Sequence, residues 1–147
     1  MPSNPITKGR RANLKDVEAR ELYYWSRLKH KNVVGLLGLA EFRGQMAMIS
    51  PWQANGTLLE YIHRSPEVDR LRLCVDVFDG LAYLHTNDTV HGDIKSMNVL
   101  VSNQGVAKIA DFGCAELKLS ELVFTATMSK PGTPRWSSPE KLMNGRP

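Results

Sequence analysis

Apolar residues recur along this chain at several different spacings, and each spacing predicts a different element. Between Leu14 and Lys29 the positions Leu14, Val17, Leu22, Trp25 and Leu28 return every three or four residues, one face of an amphipathic helix with Asn13 as its N-cap. The runs VVGLLGLAEF (33–42) and QMAMIS (45–50) flank the turn-like Arg43–Gly44 and predict a two-stranded hairpin. NGTLLEYI (55–62) reads as a turn followed by a short helix. Ser65-Pro66-Glu67 has the order of a helix start, with a cap, a first-turn Pro and an acid near the positive end. The helix it opens carries Leu71, Cys74, Val75, Phe78, Leu81, Ala82 and His85 on one stripe, the pattern of a well-buried face. VLV (99–101) and AKIA (107–110) predict two short strands joined through Asn103–Gly105. Residues 1–13 read as an irregular lead-in, and Cys114–Arg135 as a long loop, a feature that is usually functional inside a compact domain.

Composition narrows the class without naming a function. At 147 residues the chain suits one domain with a real core, and 42% hydrophobic with 23% charged residues is ordinary for a globular protein. The net charge of +4 owes much to Lys8, Arg10, Arg11 and Lys15, a cluster without interleaved aromatics. A solvated terminus is therefore expected there, with no nucleic-acid partner. Cys74 and Cys114 form no CxxC pair and suit no zinc spacing, so two free, buried thiols are expected. Neither a membrane span nor an apolar signal core is present, so a cytoplasmic location with no membrane partner is the expectation.

The chemistry concentrates in HGDIKSMNVL (91–100), where Asp93, Lys95 and Asn98 stand just before an apolar strand. A tight loop at these spacings turns all three toward one cleft, and Asp111-Phe112-Gly113 follows thirteen residues after Asn98. Two acids and an amide at strand ends suit a hard, oxygen-ligated cation, namely Mg²⁺ carrying a polyphosphate. Asp93 would then accept a hydroxyl proton and Lys95 would offset charge on a moving phosphoryl group. Taken alone, the three residues also fit a solvated turn with an Asx cap.

The order HGD-x-K-x-x-N, DFG, GTPRWSSPE resembles the catalytic core of a eukaryotic protein kinase. Upstream, RELYYWSRLKHKNVVGLLG is similar to the αC helix and the strand after it, and MAMISPWQANGTLLEYI to the hinge and the next helix. The phrases GLLG, NGTL and GLAYLH look most like the tyrosine-kinase-like group, whose members mainly phosphorylate Ser/Thr, with phrasing common among kinases of mushroom-forming fungi. The likeness covers roughly residues 14–147.

The resemblance implies a role for each matching residue. Asp93 is similar to the catalytic base, Lys95 to the phosphate-facing lysine, and Asn98 and Asp111 to the Mg²⁺ ligands. Glu21 matches the glutamate that pairs with the ATP-binding lysine, an exposed helix glutamate being the alternative. Ser50 falls at the gatekeeper position, Pro51, Trp52 and Gln53 at the hinge that meets adenine, and Leu100 beneath the adenine ring. Trp25, Leu36, His91 and Phe112 resemble the apolar spine, and Thr133 the threonine that braces the catalytic loop. The implied cofactors are ATP and Mg²⁺, and the implied partner is a protein substrate with Ser or Thr acceptors.

Some positions depart from the family pattern. No GxGxxG occurs, and Lys8, thirteen residues before Glu21, is the candidate ATP lysine in a segment with a poor strand signal. SPE (138–140) stands where kinases have APE, seven residues before the last residue. The family's next helices would cover the Ser65–Thr86 helix, so an exposed apolar face open to a partner chain is expected. Gly92 replaces the Arg that in many kinases holds a phosphorylated activation loop, which points to another mode of regulation.

The expected fold class is α+β, a truncated two-lobe kinase-like fold. Its partial N-lobe (14–49) carries αC and a few antiparallel strands, followed by a hinge (50–53) and a partial helical C-lobe (54–147). The expected function is Ser/Thr-type protein kinase activity, weak or absent in this chain alone. A pseudokinase-like nucleotide- or partner-binding module, or a fragment of a larger kinase, is the alternative.

Overall fold

A computed structural model describes residues 22–43, 45–112, 115–117 and 133–143. The first helix, α1, is helical over 22–26 in its described part. Its expected start, Asn13 and Glu21 all lie outside the described residues. It ends earlier than Lys29 because Arg27 N–H and Leu28 N–H bond to Tyr24 O and Trp25 O, three residues back. The chain then turns at 30–33, where Val33 N–H donates to His30 O at 3.2 Å, and continues to β1 with Trp25 Nε1 donating to Val34 O at 2.5 Å.

Two strands follow, β1 (Gly38–Phe42) and β2 (Gln45–Ile49), antiparallel with Gly38 opposite Ile49 and Phe42 opposite Gln45. The expected first strand began at Val33. Residues 33–34 are instead drawn elsewhere: Val33 bridges Ile109 in parallel, and Val34 N–H donates to Ile109 O at 2.8 Å. The first strand is therefore five residues long.

Helix α2 (Leu58–Arg64) starts at a complete capping box, with the Thr57 hydroxyl accepting from Glu60 N–H and the Glu60 carboxylate from Thr57 N–H. Ser65 was expected to open the next helix, but it closes α2: its N–H donates to Tyr61 O at 3.0 Å. Helix α3 (Arg70–Thr86) instead begins after Asp69, whose carboxylate accepts from Arg72 N–H at 3.0 Å. Pro66 and Glu67 lie in the turn between them.

The remaining strands are β3 (Thr89–Val90), β4 (Val99–Val101), β5 (Ala107–Ile109) and β6 (Glu116–Leu117). The pair β4–β5 is the hairpin that the apolar runs foretold. The pair β3–β6 ties Thr89 to Leu117 across a stretch read only as loop. A 3₁₀ turn at Pro134–Trp136 and the short α4 (Pro139–Met143) complete the described chain. No helix among the described residues is long and apolar enough to cross a membrane.

One core joins α1, the 28–34 segment, α3 and β5 through Tyr24, Trp25, Leu28, Val33, Val34, Leu84, Ile109, Phe112 and Ala115. A second gathers Leu73, Val99 and Ala107 with Leu58, Tyr61 and Val68. α3 meets these cores through Leu73, Gly80 and Leu84. At Gly80 a Cβ would stand 2.7 Å from Asn32 O and 2.9 Å from Ile109 Cδ1, so glycine permits this approach. Most of the apolar stripe is consequently turned outward, with Leu71, Val75 and Phe78 exposed while Leu81 packs on the first core, which is the open face expected where the family's next helices would lie. Cys74, expected to be buried, is exposed with it, and Cys114 lies outside the described residues.

Candidate active site

The site is built between β3 and β4. As β3 ends, the chain passes through His91, and Gly92 takes φ 82°, a conformation glycine adopts without strain. The His91 ring is buried and links two strand ends: Nε2 donates to Ala110 O at 2.8 Å, while Nδ1 accepts from Asp93 N–H at 3.3 Å. Both contacts require the neutral ring protonated on Nε2. Burial pushes the His91 pKa down, the Ala110 carbonyl and the Asp111 and Asp93 charges opposing it only in part. Phe112 packs against His91 with ring centroids 5.3 Å apart and against Trp25 at 6.0 Å, with Leu36 half-buried on the same core.

Asp93 is the centre of the arrangement. Its Oδ1 accepts from Thr133 N–H at 2.7 Å. Its Oδ2 accepts from Lys95 Nζ at 2.6 Å, Asn98 Nδ2 at 3.1 Å and the Thr133 hydroxyl at 3.3 Å. Lys95 Nζ also donates to Thr133 Oγ1 at 2.6 Å, closing a triangle of carboxylate, ammonium and hydroxyl. Burial pushes the Asp93 carboxyl up, but the Lys95 and Thr133 hydrogen bonds and the Lys95 charge outweigh it and hold the pKa at about 2. The side chains of this ion pair are only 17% and 9% exposed, so salt screens it less than a surface pair.

A 3₁₀ turn at Ser96–Asn98 brings Asn98 back over the same carboxylate, with Asn98 Nδ2 also donating to Asp93 O at 2.9 Å. The amide nitrogen is thereby committed, which leaves the amide oxygen as the ligand atom for a hard cation. Ala110 N–H donates to Asn98 O at 2.9 Å, so Asp111 follows directly on the residue that Asn98 holds. Asp111 is exposed and adopts φ 61°, an unusual conformation for a residue with a side chain. An amide oxygen and a carboxylate at adjoining strand ends fit Mg²⁺, which takes few protein ligands and keeps water and phosphate oxygens.

The remaining expected site residues border β4. Gln53 is buried, its Nε2 donating to Pro51 O at 2.9 Å, and Ser50 is half-buried at the end of β2. The turn after Gln53 joins β4 through Asn55 N–H to Val101 O and Val101 N–H to Gly56 O, and Thr57 bridges Leu100. Leu100 is half-buried on the first core. Trp52 is 89% exposed, so what it offers a ligand here is its main chain. Glu21 and Lys8 lie outside the described residues. The resemblance had named Thr133 as a brace of this loop, but nothing in the sequence pointed to its main-chain N–H as the donor to Asp93, 40 residues away, or to the His91 link with Ala110, 19 residues on.

The chain is 32% identical over 128 residues to the serine/threonine-protein kinase STY46 of Arabidopsis thaliana, covering 84% of this chain and 22% of that protein. A probable serine/threonine-protein kinase of Dictyostelium discoideum is 38% identical over 122 residues, 79% of this chain and 24% of the relative. The tyrosine-protein kinase abl-1 of Caenorhabditis elegans is 33% identical over 120 residues, 78% of this chain and 10% of the relative. The chain thus spans about a quarter or less of the length of these relatives. The family described as protein tyrosine and serine/threonine kinase matches residues 6–146, and the chain belongs to that family.

Proposed function

We propose that this chain carries the phosphotransfer centre of an ATP- and Mg²⁺-dependent protein kinase acting on Ser and Thr hydroxyls. The observation that carries the reading is the closed triangle of Asp93, Lys95 and Thr133. Oδ2 of Asp93 is filled by three donors, so an acceptor hydroxyl meets Asp93 at the remaining lone pair of Oδ1. A carboxyl with a pKa of about 2 is a weak base in the ground state. Its main work is to orient the hydroxyl and to take its proton late, as the new O–P bond forms and ADP leaves. Lys95 sets a positive charge beside that point. Mg²⁺, held by Asn98 and Asp111, would neutralise charge on the phosphates.

Ser50, Trp52, Gln53 and Leu100 are read as the adenine side of the site, with residues 50–53 as the hinge between a smaller unit at 14–49 and a larger one at 54–147. Glu21 is read as the partner of the ATP lysine. The Ser/Thr preference is supported by the GLLG, NGTL and GLAYLH phrases and by the names of two of the relatives. The test is Mg²⁺-dependent phosphate transfer from ATP to a generic protein substrate: from this chain alone it is expected to be weak or absent, and whatever transfer occurs should fall on Ser and Thr and be lost in Asp93→Asn. Thermal stabilisation by Mg²⁺-ATP that depends on Asp111, with no transfer, would replace the enzyme by a nucleotide-binding module.

A further inference from the structure

The turn that closes on Asp93 carries a cation that nothing offsets. Thr133 is fixed on Asp93 by its N–H, and its carbonyl accepts from Trp136 N–H at 2.9 Å and from the Ser137 hydroxyl at 3.2 Å. Ser137 N–H donates to Pro134 O at 3.1 Å, so the 3₁₀ turn at Pro134–Trp136 is mounted on the loop around Asp93. Arg135 lies in the middle of that turn and is exposed, two residues and so at most about 7 Å of main chain from Thr133. Its side chain makes no ion pair or hydrogen bond among the described residues.

The carboxylates of these segments are committed elsewhere. Asp93 holds Lys95 and Thr133, and Glu140 accepts from its own N–H and from the Ser138 hydroxyl. Asp111 is read as a metal ligand. Within 91–100 the one exposed residue is Met97, which is uncharged. A substrate Arg or Lys would therefore meet Lys95 and Arg135 and find no free carboxylate. An anion would meet a guanidinium, whose fork takes two carboxylate or phosphoryl oxygens at once.

We propose that Arg135 selects the protein substrate, favouring a Ser or Thr that has an anionic side chain within two residues of it. That anion is a carboxylate or a phosphoryl group. The proposal deepens the kinase reading and rests on it for the place of the acceptor. An acceptor hydroxyl that meets Oδ1 of Asp93 shares that oxygen with Thr133 N–H, so the substrate main chain must pass beside residues 133–135. Arg135 is then the cation that its neighbouring side chains reach. An exposed pair of this kind discriminates only a few-fold for a carboxylate, and more for a phosphoryl group with its larger charge.

Ala–Gly peptides with a single Ser test this on the 147-residue chain. One variable residue (Asp, phosphoserine, Ala or Arg) is placed in turn at each of the two positions before and after that Ser. Affinity is read by NMR titration of the chain's amide signals, and transfer from Mg²⁺-ATP is followed in parallel. At the favoured position the Asp peptide should bind about threefold to fivefold tighter than the Ala peptide, and the phosphoserine peptide about tenfold tighter. Added salt should shrink both ratios. Arg135→Glu should invert the order, so that the Arg peptide binds best, and Arg135→Lys should keep the Asp preference.

A preference for phosphoserine alone would assign the anion to an earlier phosphorylation, and a preference for both to any acidic sequence. Equal affinity for the Asp, phosphoserine and Ala peptides overturns the proposal. So does binding of none of them, or an acidic preference unchanged in Arg135→Glu. Selective binding without transfer would keep Arg135 as the selector and remove the enzyme, whereas transfer indifferent to the neighbouring residue would do the reverse.

Discussion

The loop around Asp93 and the outer face of α3 are opposite cases of how residues acquire partners. In the loop, Asp93, Lys95, Asn98 and Thr133 are joined by hydrogen bonds of 2.6 to 3.3 Å, and each group has a specific complement. On α3 the apolar stripe is as regular as any in the sequence, yet it faces solvent. Polar chemistry is directional, so the order of residue types already constrains what they meet. Apolar attraction is not directional, and periodicity reports a face without reporting its cover.

The two faces of α3 give the sharpest test of this difference. Leu84 on the inner face is fully buried, and Leu84→Ala should cost about 2–5 kcal/mol by urea denaturation. Gly80→Ala should cost about 1–3 kcal/mol, because its Cβ meets the Asn32 main-chain oxygen at 2.7 Å and that oxygen cannot move alone. A loss under 0.5 kcal/mol at either position would show that α3 is not seated on the 28–34 segment.

The loop around Asp93 is probed by pH. The folded state holds the His91 pKa below its unfolded value near 6.5, so the unfolded chain binds the proton first. Stability contributed by neutral His91 is therefore present above about 6.5 and is lost as pH falls below it, by no more than about 1.4 kcal/mol per pH unit. His91→Gln should flatten thermal stability between pH 7.5 and 5. Asp93, held at about 2 against a usual 3.8, contributes stability that is present above 3.8 and lost as pH falls toward 2. In Thr133→Val the hydroxyl is gone but the N–H remains, so the Asp93 carboxyl should titrate above about 2 by carbon-13 NMR while staying ionised at neutral pH. The smallest effect is expected at Leu71→Ala, within about 0.5 kcal/mol for the dilute chain, since the side chain is 74% exposed.

Much of the chain's organisation was legible from residue order. The β4–β5 hairpin and the turn leading into the short α2 followed from local pattern, which acts within a few residues, and the structure adds Thr57 as the cap of α2. So did the grouping of Asp93, Lys95 and Asn98, because a tight loop leaves their side chains little choice. The start of α3 was misread because Ser65 and Asp69 both have cap chemistry, and Ser65 is taken by the C-terminus of α2. Residues 33–34 were misread as hairpin because Ile109, more than seventy residues away, offers them a competing strand.

What the sequence determined by itself was most of the local elements and the grouping of Asp93, Lys95 and Asn98 in one loop. Tertiary structure alone decided which Asp93 oxygens Thr133 meets, that His91 links Ala110 to the loop around Asp93, and that α3 buries Leu73, Gly80 and Leu84 rather than its longer stripe. The physical reason is range. Caps, turns and periodicity are settled over a few residues, whereas these contacts depend on where the chain returns, and at α3 the absence of a Cβ at Gly80 admits the close approach that fixes the helix's rotation.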